Sequence, residues 1–139
     1  MGPTRRRSAA GPQAGSATAE LVIATPALLL LVMLVVQFAL WQHGQHVATA
    51  AAEEGERAAR LQGGTAEAGA ARARQFLAQL GPHLVVAPRV TARRDAATAR
   101  VEVVGSAEPL VPWLRLPIRA VAEGPLEQFN PAPPAGGPP

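Results

Sequence analysis

Groups able to make or break bonds are sparse in this chain and poorly spaced for catalysis. His43 and His46 stand three apart, so a helix would put both rings on one face and could offer them to a metal ion. No carboxylate or third histidine follows at ligand spacing, and His83 lies beyond a Gly81-Pro82 break, so both histidines are expected to be interfacial and no metal is expected. Ser16 and Ser106 have no histidine or lysine arranged around them, and neither a phosphate loop nor a dinucleotide fingerprint occurs. The absence of cysteine excludes disulfides, thiolate chemistry and cysteine-based zinc sites. Glu53, Glu54 and Glu56 read as a solvated helix face. No catalytic residue, cofactor or small-molecule substrate is therefore expected. One carboxylate stands apart: Glu20, in the string GSATAEL over residues 15–21, immediately precedes an apolar stretch. Ionised and alone it would be costly to draw into hydrocarbon. On the residues alone its simplest role is a helix N-terminal charge held in the headgroup layer by the helix dipole.

The element that positions Glu20 is the charge-free stretch LVIATPALLLLVMLVVQFALW, residues 21–41. At about 1.5 Å rise per residue it spans about 31 Å, the thickness of a hydrocarbon core. A small chain has no core able to surround a helix that is apolar on every side, so the stretch reads as a transmembrane helix in contact with the lipid bilayer. Arg5, Arg6 and Arg7 precede it, and the first charges beyond it are Glu53, Glu54 and Glu56. The positive-inside rule then places the N-terminus in the cytoplasm and the C-terminal region outside the cell membrane. Trp41, beside Gln42 and His43, suits the outer interface. The competing reading is a cleaved secretory signal with an A-x-A site at Ala48-Thr49-Ala50, but the apolar stretch is longer than a signal's and the site lies beyond a polar QHGQH run. The basic balance is not a nucleic-acid signature: the formal charge is only +3, every basic residue is arginine, and the arginines after residue 50 are mixed with glutamates.

Gly15, Ser16, Glu20 and Pro26, set against the basic leader and the apolar run, give the chain a resemblance to type IV pilins and pseudopilins, and specifically to the TadE-like proteins of tight-adherence (Flp-type) pilus systems. In that superfamily a short basic leader ends at a glycine, a prepilin peptidase cuts after it, and glutamate is the fifth residue of the mature chain. Counted from Ser16, Glu20 is the fifth. TadE-like proteins also tend to carry a proline several residues inside the membrane segment, where Pro26 stands. The resemblance implies cleavage between Gly15 and Ser16. It also implies a register role for Glu20, whose carboxylate would pair with the N-terminal amine of a neighbouring subunit, and a helix-shaping role for Pro26. Implied partners are other pilins or pseudopilins, the pilus assembly platform and the prepilin peptidase. Flp major pilins usually have tyrosine after the glutamate and almost no globular domain, whereas this chain has Leu21 and a long C-terminal region, which favours a minor pseudopilin.

Beyond the membrane stretch, residues 47–61 (VATAAAEEGERAARL) favour helix, with Glu53–Arg57 and Glu56–Arg60 at the spacing of ion pairs. Gly44 and Gly55 weaken the continuity of that stem, and Gly63-Gly64 end it. Thr65 as N-cap, Glu67 in the first turn, and Ala73, Phe76, Leu77 and Leu80 on one face predict a second helix, stopped at Gly81-Pro82. The period then becomes two. Val86, Pro88, Val90 and Ala92 form one face of a first strand, Ala99, Val101 and Val103 its antiparallel partner, and Leu114, Leu116, Ile118 and Ala120 a third, made an edge by Pro117. The expected fold is α+β: a transmembrane helix continuing into an amphipathic stem, a second helix, and a small antiparallel sheet of about three strands. The expected divisions are a disordered cytoplasmic leader over 1–15, transmembrane helix and stem over 16–62, a small extracytoplasmic domain over 63–129, and a disordered Pro/Gly tail over 130–139. With few large core side chains available, that domain is expected to dock on a partner or on the helix leaving the membrane. The expected function is a non-catalytic minor pseudopilin or assembly component. The alternatives are an accessory subunit of an unrelated envelope complex, or a small domain released by signal peptidase.

Overall fold

The computed structural model describes residues 13–126, with side chains from residue 20 onward. Arg5, Arg6 and Arg7 and the 130–139 tail lie outside the described residues. The element order is α1 (Gln13–Arg60), α2 (Ala66–Leu80), β1 (Val85–Arg94), β2 (Thr98–Ala107) and β3 (Pro117–Pro125). The three strands form one antiparallel sheet in the order β1-β2-β3, so the α+β expectation holds. The chain divides into two compact units, Met1–Val36 and Gln37–Pro139.

In the first unit α1 is apolar on every side, and its large side chains are exposed from Leu21 to Val36. Pro26 lies inside the helix without ending it. Its ring lacks the N–H that would bond the carbonyl four residues back. One position earlier, the Thr25 hydroxyl bonds the Leu21 carbonyl at 2.8 Å.

In the second unit α1 changes character from an apolar rod to a core element. Ala48, Ala51, Ala52 and Ala59 are fully buried; the first three, with Ala70, Ala73 and Leu77 of α2, pack on Val85, Val90, Val101, Val103, Ile118 and Ala120 of the sheet, and Ala59 lies against Gly69 of α2. Docking on the C-terminal part of α1 thus supplies the core that the thin stock of large residues could not. Gly44 and Gly55 do not interrupt the helix, contrary to the weakness expected of them. They are close-approach positions: a Cβ on Gly55 would stand 2.7 Å from the Gly69 carbonyl oxygen and 2.9 Å from the Ala73 Cβ. One on Gly44 would stand 2.7 Å from Ile118 Cδ1. Arg57 and Arg60 close the last turn of α1, where they favour the dipole, and Gly63, at φ 76°, turns the chain. Glu56 departs from the solvated face expected of it: it is 7% exposed, against Gly124, with the Arg60 guanidinium 3.7 Å away.

The Thr65 hydroxyl caps α2 by accepting from the Ala68 N–H at 3.1 Å. The buried stripe of α2 runs through Gly69, Ala70, Ala73 and Leu77, while Leu80, expected on it, is exposed. β1 corrects the simple alternation. Between the pairs Val86–Ser106 and Arg89–Val104 there are two residues on β1 and one, Gly105, on β2, a β-bulge with Ala87 at φ 49°. The extra residue moves the buried face from Val85 to Val90, leaving Pro88 exposed and Val86 half-buried. β2 follows the expected alternation, with Ala99, Val101 and Val103 buried. The third run begins later and ends later than expected: residues 114–116 lie outside the strand, which starts at Pro117. Pro117 is the first residue of an edge strand, a place where its missing donor costs little.

Candidate functional site

Two sets of residues carry features beyond packing, one in each unit, and each stands by itself. In the first unit, α1 includes Gly15 and Ser16 in its first turns, then Glu20 and Pro26. Glu20 is exposed at the start of the apolar run, with Leu21 68% exposed beside it. One and two turns further along the same face stand the small residues Ala24 and Ala27, which with Leu21, Thr25, Leu28 and Leu31 line a shallow apolar hollow. Small side chains at such spacing let a neighbouring helix approach closely in a bilayer. Gly15, Ser16, Glu20 and Pro26 therefore stand on one helix. Its only described charge before Glu53 is Glu20.

In the second unit a set of polar side chains fastens α1 to β3 and to the connection before it. Gln37 is fully buried. Its Nε2 donates to the Glu108 carbonyl at 3.1 Å, and its Oε1 accepts from the N–H groups of Leu110 and Val111 at 2.6 and 3.3 Å. One turn on, the Trp41 indole donates to the Pro117 carbonyl at 2.9 Å. After another turn the Gln45 amide takes both backbone groups of Arg119, donating to its carbonyl at 2.7 Å and accepting from its N–H at 3.3 Å. At Arg119 the amide thus pairs with the β3 edge as a neighbouring strand would, blunting the edge at that one position. Trp41, expected at the interface, spends its indole N–H on the Pro117 carbonyl. Gln37, Trp41 and Gln45 recur every four residues, a signal that was visible in the sequence, but their backbone partners lie 71 to 76 positions away.

His43 and His46 are exposed, and among the described residues no group of three or more histidines and carboxylates gathers to hold a metal ion. The outer sheet face carries exposed cross-strand pairs, Arg100–Glu123 at 2.9 Å and Arg119–Glu102 at 2.8 Å, which are surface ion pairs of small energetic weight.

Together these features define a class: an α+β protein whose N-terminal helix is long and apolar enough to cross a membrane, and whose sheet packs on the C-terminal part of that same helix. One N-terminal apolar helix of this kind fits a single-pass membrane protein. Residues 15–57 match the family model of TadE-like protein, so the resemblance expected from Gly15, Glu20 and Pro26 is borne out over that stretch. The matched span holds the apolar run and most of the rest of α1 and ends at Arg57, before α2 and the sheet. No curated protein and no solved structure matches the chain.

Proposed function

We propose that this chain is a minor pseudopilin or membrane-anchored assembly component of a tight-adherence (Flp-type IV) pilus or a related secretion system, acting without catalysis. The observation that carries the reading is that the family match begins at Gly15 and takes in Glu20, Pro26 and the apolar run in the order a prepilin has them. The N-terminus faces the cytoplasm, with Arg5, Arg6 and Arg7 holding it there, and the sheet domain stands outside. Prepilin peptidase cuts between Gly15 and Ser16. The new amine of a neighbouring subunit then pairs with the Glu20 carboxylate, and a subunit out of register leaves that charge without a partner, a cost that selects the correct axial position. Ala24 and Ala27, on the face of Glu20, let the helices close together, and Pro26 shapes the helix between them. The partners are the lipid bilayer, other pilins or pseudopilins, the assembly platform and the peptidase.

The released-domain alternative meets a physical objection. Ala48 and Ala51 are fully buried within α1, so a cut after Ala50 would run through the core.

The test is the N-terminal residue of the mature protein, read by mass spectrometry of membrane-extracted material, together with the phenotype of Glu20→Ala. A methylated Ser16 and a variant that inserts but fails to assemble are expected. An intact leader with normal piliation by Glu20→Ala would leave only an anchored subunit of some other complex. A start at Ala51 would overturn the anchored reading altogether.

A further inference from the structure

The connection between β2 and β3, residues 108–116, treats its apolar side chains in two opposite ways. Val111 is 1% exposed and helps fill the interior, whereas Leu110 is 40% exposed and Trp113, at 77%, is more exposed than any other large apolar side chain among the described residues. Pro112 between them is exposed as well. The turn is closed by the Leu114 N–H on the Val111 carbonyl at 2.9 Å, and Gln37 holds it at Glu108, Leu110 and Val111. A small domain poor in large residues has therefore spent a tryptophan and a leucine on a fastened, solvent-facing tip, where an apolar patch is a marker of interaction.

Where that tip lies relative to a bilayer follows from the residue that holds it. Gln37 directly follows Val36, the end of the uninterrupted apolar run over residues 21–36. That run rises about 24 Å at about 1.5 Å per residue, short of a hydrocarbon core of about 30 Å. A bilayer that takes up the run thus reaches the level of Gln37 and Phe38. A bare amide there would be costly, but the Gln37 amide is fully enclosed and bonded to the backbone of this same connection. The bonds that hide Gln37 also fix the tip at its depth. Indole and leucine side chains are favoured at that level, and the exposed Arg115 nearby suits lipid phosphates, against a single acidic residue, Glu108, on the connection.

We propose that residues 110–113 insert into the headgroup layer of the leaflet at which α1 leaves the bilayer, with Leu110 and Trp113 as anchors. The occupant of the patch is the bilayer interface itself, continuous with the surface that receives the apolar run. This inference rests on the single-pass reading.

The test uses the full chain in vesicles of phosphatidylethanolamine and phosphatidylglycerol containing a phospholipid brominated near the glycerol end of its acyl chain. Trp41 and Trp113 are the only tryptophans, so the difference in emission between the chain and its Trp113→Phe variant isolates Trp113. An exposed side chain can be exchanged without harming the core, and an unchanged melting profile verifies this. The expected result is blue-shifted Trp113 emission, quenched several-fold more strongly by the bromolipid than by aqueous acrylamide. The reverse preference, or shielding from both quenchers by another protein copy, overturns the proposal. A Leu28→Trp probe placed in the Trp113→Phe chain separates the two readings. If it is quenched by bromolipid while Trp113 is not, the loop contact fails and the anchor stands. If it too is unquenched, the single-pass reading fails and the loop contact fails with it.

Discussion

A glutamine beside an apolar run is tolerable only if its amide is fully used, and Gln37 shows how. Its three bonds go to the Glu108 carbonyl and to the N–H groups of Leu110 and Val111, so replacing it removes one side of each pair. Gln37→Leu keeps much of the volume and all of the helix propensity. It strands two N–H groups and a carbonyl, at about 2–4 kcal/mol after partial relaxation. For a domain of this size that corresponds to a fall of roughly 10–25 °C in melting midpoint, measured by circular dichroism on the full chain in detergent. Gln45→Leu, at a half-buried site that water can reach, should cost clearly less. Equal melting of Gln37→Leu and the parent chain would show that the clamp is ornamental. The sequence made Gln37 noticeable, as the lone amide in a stretch of hydrocarbon side chains. It could not name the partners, because backbone groups carry no sequence signal. Glu56 illustrates the opposite failure: a glutamate among glutamates reads as solvated, and only the approach of Gly124 buries it.

At the level of elements, periodicity recovered the second helix with its Thr65 cap, the three strands and the edge position of β3, because each leaves a local mark in the pattern. Two things left none. The bulge at Ala87 and Pro88 inserts a single residue into β1 and exchanges its faces, and in a run of valine, alanine and proline that insertion looks like ordinary alternation. The packing role of α1 was equally hidden, since alanines at 48, 51, 52 and 59 serve a free stem as well as a core. The glycines were the overlooked clue. Read as helix breakers, Gly44 and Gly55 argue against a continuous stem; read as points of contact, they mark where α1 meets the sheet and α2. These two readings predict opposite signs for Gly55→Ala. Helix propensity alone would stabilise the variant by about 1 kcal/mol. Contact with the Gly69 carbonyl and Ala73 forces the helices apart, at about 1–3 kcal/mol. Backbone cannot swing aside as a side chain can, so net destabilisation is expected, seen as a lower midpoint in thermal or urea unfolding. A raised midpoint would mean that α1 and α2 do not approach this closely.

For the molecule as a whole, the decisive question is where the independently stable part begins, and it bears directly on export. The compact unit starts at Gln37, and six hydrogen bonds run from Gln37, Trp41 and Gln45 to residues 108–119. At about 0.5–1.5 kcal/mol apiece they amount to several kcal/mol, against a total stability of about 5–15 kcal/mol for a domain. Ala48, wholly enclosed by the core, adds to that loss when the helix is shortened. A chain beginning at Gln37 should therefore melt cooperatively as a soluble domain, although it lacks the entire apolar run. A chain beginning at Ala51, the product a signal peptidase would release, loses the whole clamp and exposes the β3 edge that Gln45 covers. It should show no cooperative transition and should self-associate through that edge. Calorimetry and sedimentation of the two fragments measure both outcomes. A stable, monomeric fragment starting at Ala51 would make release from the membrane physically workable again. Its failure to fold would mean that the part of α1 from Gln37 to Ala50 belongs to the folded domain, because the clamp it carries is what closes the sheet.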